Sequence, residues 1–396
     1  MPIPSPFHTR TLPLNETQEW RNWSGYYAAA LYETSHEREY YAIRNAVALI
    51  DVSPLYKYIL EGPQAVDAAN RIFTRDISRS TIGQVIYTPW CDDDGMVIDD
   101  GTVARLSEDR FRITAAEDNL AWFQDSCFGY DVQLSETSAE LAVLAVQGPN
   151  SRTLLETVLK DADLSHLRYY RIIQTCLDDI CIEISRTGYT GDLGYELWME
   201  AGHSAQVWDA LMEHGEGLGV LPAGIIALDV ARIEAGLVML QVDYISSRKA
   251  IIPEQKSSPY EIGLGWAVNL GKGPFTGRKA LEKESLKGSK WKLVGLEADW
   301  KELEGLFARY HLAPQLAGRA SRSAVPVYVG GKFVGQATSL AFSPILKKFI
   351  ALATVESDHA APGNYLQLEF TVEYERNLVM SSVCQLPFFD PPRKRA

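Results

Sequence analysis

The chain is poor in the features that would commit it to a metal, a nucleotide or a membrane. Its 396 residues hold only five cysteines, at Cys91, Cys127, Cys176, Cys181 and Cys384, odd in number and scattered, with no Cys-x-x-Cys pair. That argues against a disulfide framework and reads as reduced thiols of a cytoplasmic protein. Burial as a small hydrophobe is the ordinary fate of each, with a reactive thiol as the alternative. No apolar run approaches the ~20 residues needed to span a bilayer. The opening MPIPSPFHTR lacks the apolar centre of a signal peptide. The seven histidines form no H-E-x-x-H, and HEREY at 36–40 lacks the second histidine, so no metal is expected. No G-x-G-x-x-G follows a strand, and no G-x-S-x-G elbow occurs. GGKFVG lacks the G-K-S/T spacing of a phosphate loop.

Positive charge is also scarce. A net charge of −13 and a pI near 5.1 exclude the basic stripe that nucleic acid requires. The one basic cluster is the tail PPRKRA, expected to be a frayed, solvated terminus. An anionic small molecule is still permitted, because local arginines can hold a carboxylate against an unfavourable global field. Hydrophobic content of 46% with 22% charged residues is that of a globular protein, and the length calls for two or three domains.

Along the chain, helices are expected over 36–46, 63–73, 117–127, 148–160, 203–216 and 221–238. Strands are expected at LIDVS (49–53), VIYTPWC (85–91), MVIDDGTVARL (96–106), FRITAA (111–116), ICIEISR, YELWME, EIGLGWAV and WKLVGLEA. Beyond about residue 290 the pattern is nearly all strand and turn, with VPVYVGGKFVG reading as a Gly-Gly hairpin. Strands broken by helices and then an all-β tail indicate α+β domains followed by a β-barrel or jelly-roll-like domain.

The most informative stretch is SRTGYTGDLGYELWME at 185–200. A strand runs into a Gly/Thr/Asp turn and a second strand leaves it. Gly188, Gly191 and Gly194 permit positive φ and close backbone approach. Glu196 falls near the mouth of the hairpin, where a carboxylate can accept two parallel hydrogen bonds from a flat N–H/N–H₂ edge such as a pterin, a guanine or an arginine presents. A solvated glutamate on a plain hairpin is the bland alternative.

This stretch resembles the signature of the glycine-cleavage T-protein family, the tetrahydrofolate-dependent aminomethyltransferases and their demethylase relatives. The likeness extends in order along the chain: GMVIDDGTV (95–103), AVQGPNS (145–151), LPAGIIALDVARIEAGL (221–237), SPYEIGLGWAV (258–268) and GKFVGQATSLAFSPILKKFIALA (331–353). The resemblance implies an α+β, three-domain clover leaf with a central folate channel. Residues 1–50 and 140–242 would form a discontinuous first domain that binds folate. Residues 51–139 and 243–285 would form a second α+β domain, and 286–396 a C-terminal β-barrel.

A reduced folate site needs a carboxylate for the pterin edge, aromatic walls, a cation for the glutamate tail and an electrostatic partner beside the N5 nitrogen. The resemblance implies Glu196 for the edge, Tyr189, Tyr87 and Tyr169 as ring neighbours, and Arg232 from the R-x-E of the late helix. Asp100, the second acid of IDD, matches the acid placed beside the reacting carbon. Asp99 is the second choice and points to the opposite face if the segment is a strand. Other readings stand beside these. Paired Tyr169 and Tyr170 suit core and rim, Asp99–Asp100 suit a turn cap, and Arg232 suits a structural pair with Asp229 or Glu234.

The chain departs from the family pattern in ways that bear on the donor. IDVSP carries Pro54 where the family has histidine, and Leu228 stands where it has an arginine that helps hold the ligand. An asparagine is missing from RITAAED, Met96 interrupts a Gly-Gly pair, and DYISSRKAIIPEQKSS lengthens the segment after the late helix. The expectation is a tetrahydrofolate-dependent methyl or one-carbon transferase using a small S-, N- or O-methyl donor, with no lipoyl carrier protein, nucleic acid or membrane as partner. Trp20, Trp23, Tyr26, Tyr27 and Tyr32 either line a cation-accepting pocket or form core. Aminomethyl transfer from a lipoyl carrier protein is the alternative. A non-catalytic folate-binding regulator is the third reading, and its K-G-C-Y-x-G-Q-E motif does not occur.

Overall fold

The computed structural model describes residues 1–159, 162–315 and 318–395. The last residue of the helix expected at 148–160, and Ala396 of the tail, lie outside them.

Three large sheets organise the described residues, beside a two-stranded hairpin of Trp20–Trp23 and Tyr26–Ala29. A six-stranded sheet runs in the order Ile172–Leu177, Ile180–Ser185, Gly194–Glu200, Leu141–Gln147, Val47–Asp51 and Val220–Pro222. Its central strands, VALID and LAVLAVQ, are apolar on both faces because both are covered. Val47, Leu49, Leu144 and Val146 pack under the helices Ser151–Val158 and Ser204–Gly215. Ala48, Ile50, Val143 and Ala145 pack under Glu37–Asn45 and Ile225–Glu234. The helix Ile225–Glu234 is buried along nearly its whole length. Its outer side meets Ala341, Ile350 and Leu352 of the barrel, which explains why IIALDVARIE shows no polar face.

The five-stranded sheet, in the order Val85–Cys91, Val97–Arg105, Arg110–Ala115, Tyr56–Glu61 and Gln133–Glu136, lies in the chain between segments of the first sheet. The helix Ala65–Ile72 packs on it through Ala65, Ala68, Ala69 and Ile72. From Trp291 to Cys384 six strands close into a barrel, with a bulge at Ala337/Ser339 that bends the strand Lys332–Ser343.

Several expectations need correction. The segment EIGLGWAV forms turns and a short 3₁₀ helix, Gly265–Ala267, not a strand. The helix expected at 221–238 begins only at Ile225, because Leu221 and Pro222 pair in parallel with Ala48 and Leu49. It stops at Glu234, and Gly236 then takes the left-handed φ of +67° that ends a helix. The helix Trp300–Arg309 interrupts the all-β region, capped by Asp299 accepting from the Glu302 backbone N–H at 3.0 Å. The basic tail is anchored rather than frayed. Arg393 forms a forked pair with buried Asp192 at 2.6 and 2.9 Å, and Arg186 donates to the carbonyls of Arg393 and Lys394.

Among the described residues no helix is long and apolar enough to cross a membrane. Within the same residues no cluster of acidic, histidine and cysteine side chains could hold a metal.

Candidate functional site

Strand pleating decides which of the two IDD carboxylates is available. Asp99 and Asp100 are consecutive on the strand Val97–Arg105, so their side chains leave opposite faces. Asp99 turns inward and is fully buried. It accepts from the Asn119 side chain at 2.9 Å, the Glu117 backbone at 3.1 Å and the Asp100 backbone at 2.8 Å. Burial and the neighbouring Asp100 push its carboxyl well above the ordinary carboxylate range. Asp100 turns outward onto a cavity of about 1310 Å³. Tyr87 donates to its Oδ2 at 2.5 Å, and Tyr244 donates to its Oδ1. Burial raises the Asp100 carboxyl, while the two phenols oppose that rise by stabilising the charged form.

The glycine after this pair is obligatory. A Cβ on Gly101 would sit 1.9 Å from the Thr114 carbonyl oxygen of the neighbouring strand, so only glycine allows the two strands to pair as closely as they do here.

Glu196 lies on the strand Gly194–Glu200, paired with Ala145 on one side and Ser185 on the other. It is half-buried on the wall of the same cavity. Thr187 donates to its Oε2 at 2.6 Å, and Ser185 approaches the same oxygen at 3.5 Å. Among the described residues no donor reaches Oε1, so one carboxylate oxygen has unused capacity to accept. Burial holds this carboxyl above its ordinary range, opposed by the Thr187 bond and by the charge of Arg112. Arg112 itself pairs with Glu183 and lies 3.8 Å over the ring of Trp198.

The glycines of the 185–200 hairpin divide their work. Only Gly191 takes a left-handed φ, +72°. Gly188 and Gly194 are needed because the side chain of Gln147, from AVQGPNS, lies where their Cβ atoms would be, at 2.2 and 2.3 Å. Gln147 donates to the carbonyls of Thr187 and Tyr195 at 3.2 Å each and accepts from Thr190 at 2.7 Å. The separated motifs AVQGPNS and SRTGYTG are thus one hydrogen-bonded unit beneath Glu196.

Tyr87 and Tyr189 both line the cavity. The Tyr189 phenol donates to the Val238 carbonyl at 2.5 Å, and the Tyr87 ring stacks on Trp266 at 6.1 Å. Tyr169 does not line it; its neighbour Tyr170 does. Tyr170 takes a left-handed φ of +60°, and its ring meets Tyr169 edge-on at 4.5 Å. Tyr169 packs toward the tail, with the Lys394 ammonium 5.9 Å from its ring.

Arg232 is also absent from the lining. It is wholly buried and its donors go to protein: Asp229 at 2.8 Å, Asp243 at 2.6 Å, the Leu237 carbonyl at 3.2 Å and Ser339 of the barrel at 2.8 Å. Glu234, two residues on, accepts from Arg44, Tyr40 and the barrel's Ser343. The R-x-E pair therefore clamps this helix to the barrel through two buried polar centres. Arg21 and Lys292 do line the cavity and meet no carboxylate among the described residues within ion-pair distance.

Of the amino-terminal aromatics, Trp23 lines the cavity. Trp20 and Tyr27 pack around His8, and Tyr32 is core. Leu228 lies on the wall. Sequence reasoning overlooked Tyr244, Trp266 and Tyr170. Trp266 lay in a motif read as strand, and Tyr244 lay in the lengthened segment, where no periodicity marks it.

Two family models match. The GCVT N-terminal domain covers residues 14–272, and the glycine cleavage T-protein C-terminal barrel domain covers residues 310–390. An aminomethyltransferase of Halothermothrix orenii is 34% identical over 93% of this chain and 95% of its own length. An aminomethyltransferase of Thermotoga maritima is 34% identical over 91% of both. The trimethylamine-oxide aldolase of Ruegeria pomeroyi is 32% identical over 96% of this chain, a match that takes in 46% of that protein. In fold, the glycine cleavage system aminomethyltransferase T of Bartonella henselae superposes with a TM-score of 0.82, covering 98% of this chain and 99% of that one at 23% identity.

Proposed function

From the premise that this chain belongs to the glycine cleavage T-protein family and is an enzyme of that transferase family, we propose that it moves a one-carbon unit from a small S-, N- or O-methyl donor onto the N5 nitrogen of tetrahydrofolate. The observation that carries this reading is the meeting of Glu196 and Asp100, from two different sheets, on one aromatic-walled cavity.

The residues present suit a reduced pterin. Among the described residues Glu196 keeps Oε1 without a protein donor while Thr187 fixes Oε2, so it can accept from the flat donor edge of the ring. Tyr87, Tyr170 and Tyr189 supply ring-sized apolar walls with their phenols turned to protein or carboxylate. Arg21 and Lys292 are the cations on the wall that remain for an anionic tail, the role that the family resemblance implies for Arg232. Tetrahydrofolate, when bound, supplies the nucleophilic nitrogen that accepts the carbon. Asp100, held on both oxygens by phenols, places negative charge in the cavity. There it stabilises positive charge developing near that nitrogen and orients the donor.

Leu228 favours a small donor. It puts an apolar side chain on the wall where the family carries an arginine, and Trp23 adds an aromatic face suited to a methylated cation. The trimethylamine-oxide aldolase relative, which also acts on a methylated nitrogen by its name, lends support. Aminomethyl transfer from a lipoyl carrier is the second reading, favoured by the aminomethyltransferase names of relatives that match over 91% or more of both lengths. Incubation with tetrahydrofolate and either methylated sulfonium, amine and ether donors or aminomethylated carrier, read by mass spectrometry, separates the two. Methyl-folate from a small donor is expected. Methylene-folate with ammonia, formed only from the carrier, would replace the first reading with the second.

A further inference from the structure

The cysteine pair at the outer edge of the six-stranded sheet has no part in the proposed transfer. Cys176 and Cys181 stand directly opposite each other on the antiparallel strands Ile172–Leu177 and Ile180–Ser185. The two-residue turn Asp178–Asp179 joins these strands, with Asp178 at a left-handed φ of +50°. In a hairpin with a two-residue turn, the pair flanking the turn, here Leu177 and Ile180, is hydrogen-bonded, and the next pair is not. Cys176 and Cys181 are that next pair. Non-hydrogen-bonded pairs bring Cα atoms to about 4.5 Å, inside the range that a disulfide spans. The two sulfurs are already 4.0 Å apart, and both cysteines are exposed. The other three are buried or half-buried.

We propose that Cys176 and Cys181 are a redox-modification site that closes reversibly into a cross-strand disulfide by exchange with a low-molecular-weight disulfide. One protein thiolate attacks a sulfur of the small disulfide, forming a mixed disulfide and expelling one small thiolate. The second protein thiolate then attacks the protein-side sulfur and expels the other. Two protein S–H groups and one small S–S bond become one protein S–S bond and two small thiols. The protein loses two electrons and two protons, and the small disulfide gains both. Closure requires the sulfurs to move from 4.0 Å to about 2.0 Å, within reach of side-chain rotation because the strand register already aligns the Cβ atoms. The bond staples the sheet's edge strand to its neighbour. Ser185, which touches Glu196, lies at the opposite end of that neighbour strand. Closure therefore leaves the cavity's own residues in place.

Asp178 and Asp179 repel anionic reagents from the turn, so the probe is neutral hydroxyethyl disulfide, applied to the folded full chain. After the remaining thiols are blocked and the protein denatured, cleavage at Asp178–Asp179 separates the two cysteines onto different fragments. The fragments are expected to stay joined until a reductant is added. In Cys176→Ser, Cys181 is expected to accumulate the hydroxyethyl mixed disulfide, since no second thiol resolves it. Wild-type fragments that separate without reductant, whether each carries the adduct or a free thiol, would overturn the proposal.

Discussion

Tyr244 reaches across 144 residues of chain to donate its phenol hydrogen to Asp100, on the carboxylate oxygen that Tyr87 does not use. Burial pushes the Asp100 carboxyl up and the two phenols pull it back. Tyr244→Phe removes one of those donors without emptying its ring volume. The carboxyl then rises further, and the acidic limb of the turnover profile is expected to move to higher pH. Asp100→Asn is expected to lower kcat roughly 100- to 1000-fold, the scale on which a developing charge feels the removal of one electrostatic partner, while folate affinity stays near wild type. Asp99→Asn is expected to act mainly on stability, because its three donors are all protein groups. Calorimetric folate titrations and kcat against pH for the three variants check this assignment, and a fully active Asp100→Asn would refute it.

Glu196 has two linked consequences for pH. Its carboxyl is raised by burial, so between the ordinary glutamate value, about 4.3, and its raised native value, the folded protein holds the proton more tightly than the unfolded chain. Stability therefore falls as pH rises through that window. Glu196→Gln has no such proton. The variant is expected to gain on wild type as pH rises through that window, the direction common when a functional strain is relieved. Folate binding runs the other way. It needs the ionised carboxylate, so wild-type affinity drops as acid protonates Glu196, and the glutamine variant binds weakly throughout. Urea unfolding and folate titration at several pH values test both halves. A variant that binds folate as well as wild type would remove Glu196 from the site.

Arg232 yields a prediction opposite to that for a ligand-holding arginine. Its fully buried pair with Asp243 at 2.6 Å ties the helix Ile225–Glu234 to the barrel, because Asp243 also accepts from Thr338 and Ser339 at 2.6 Å each. Arg232→Met strands a buried carboxylate and is expected to cost about 3–5 kcal/mol. Arg232→Met combined with Asp243→Asn removes both charges and recovers much of that loss. The coupling appears in a double-mutant cycle of unfolding free energies. Folate affinity of the folded fraction is expected to be unchanged, which distinguishes a clamp from a residue that touches the ligand.

The alternating and fully apolar strands, the alanine-faced helix at 65–72 and the Gly-Gly hairpin of the barrel were legible because each is governed by local periodicity or turn chemistry. Glu196 and Asp100 could be placed on strands for the same reason. What the sequence hid depends on packing between distant parts of the chain. Whether Tyr169 or Tyr170 faces the cavity turns on one left-handed residue in a connection. Arg232 carries the same letters whether it meets a ligand or Asp243, and only the chain's return brings Asp243 to it. Gly188 and Gly194 look like turn glycines in sequence, yet they are fixed by the side chain of Gln147, some forty residues earlier. The helix Trp300–Arg309 escaped notice because its cap and apolar face sit inside a run dominated by strand signals.

The anchored tail gives a final test. Arg393 is partly exposed, but its partner Asp192 is not, and the forked geometry at 2.6 and 2.9 Å satisfies both carboxylate oxygens. Arg44, itself committed to Glu234, reaches Asp192 only at 3.4 Å. Arg393→Ala therefore leaves a buried carboxylate with one long ion pair, and a loss of about 2 kcal/mol is expected, the scale of hydrogen bonds to a charged group. Arg393→Lys restores charge but not the fork, and is expected to recover only part of it. Removing residues 392–396 should cost at least as much as Arg393→Ala, since it also takes away the two carbonyls that Arg186 meets. Urea midpoints measured in parallel for the three variants check the order. A truncated chain as stable as wild type would show that the tail rests on the fold without supporting it.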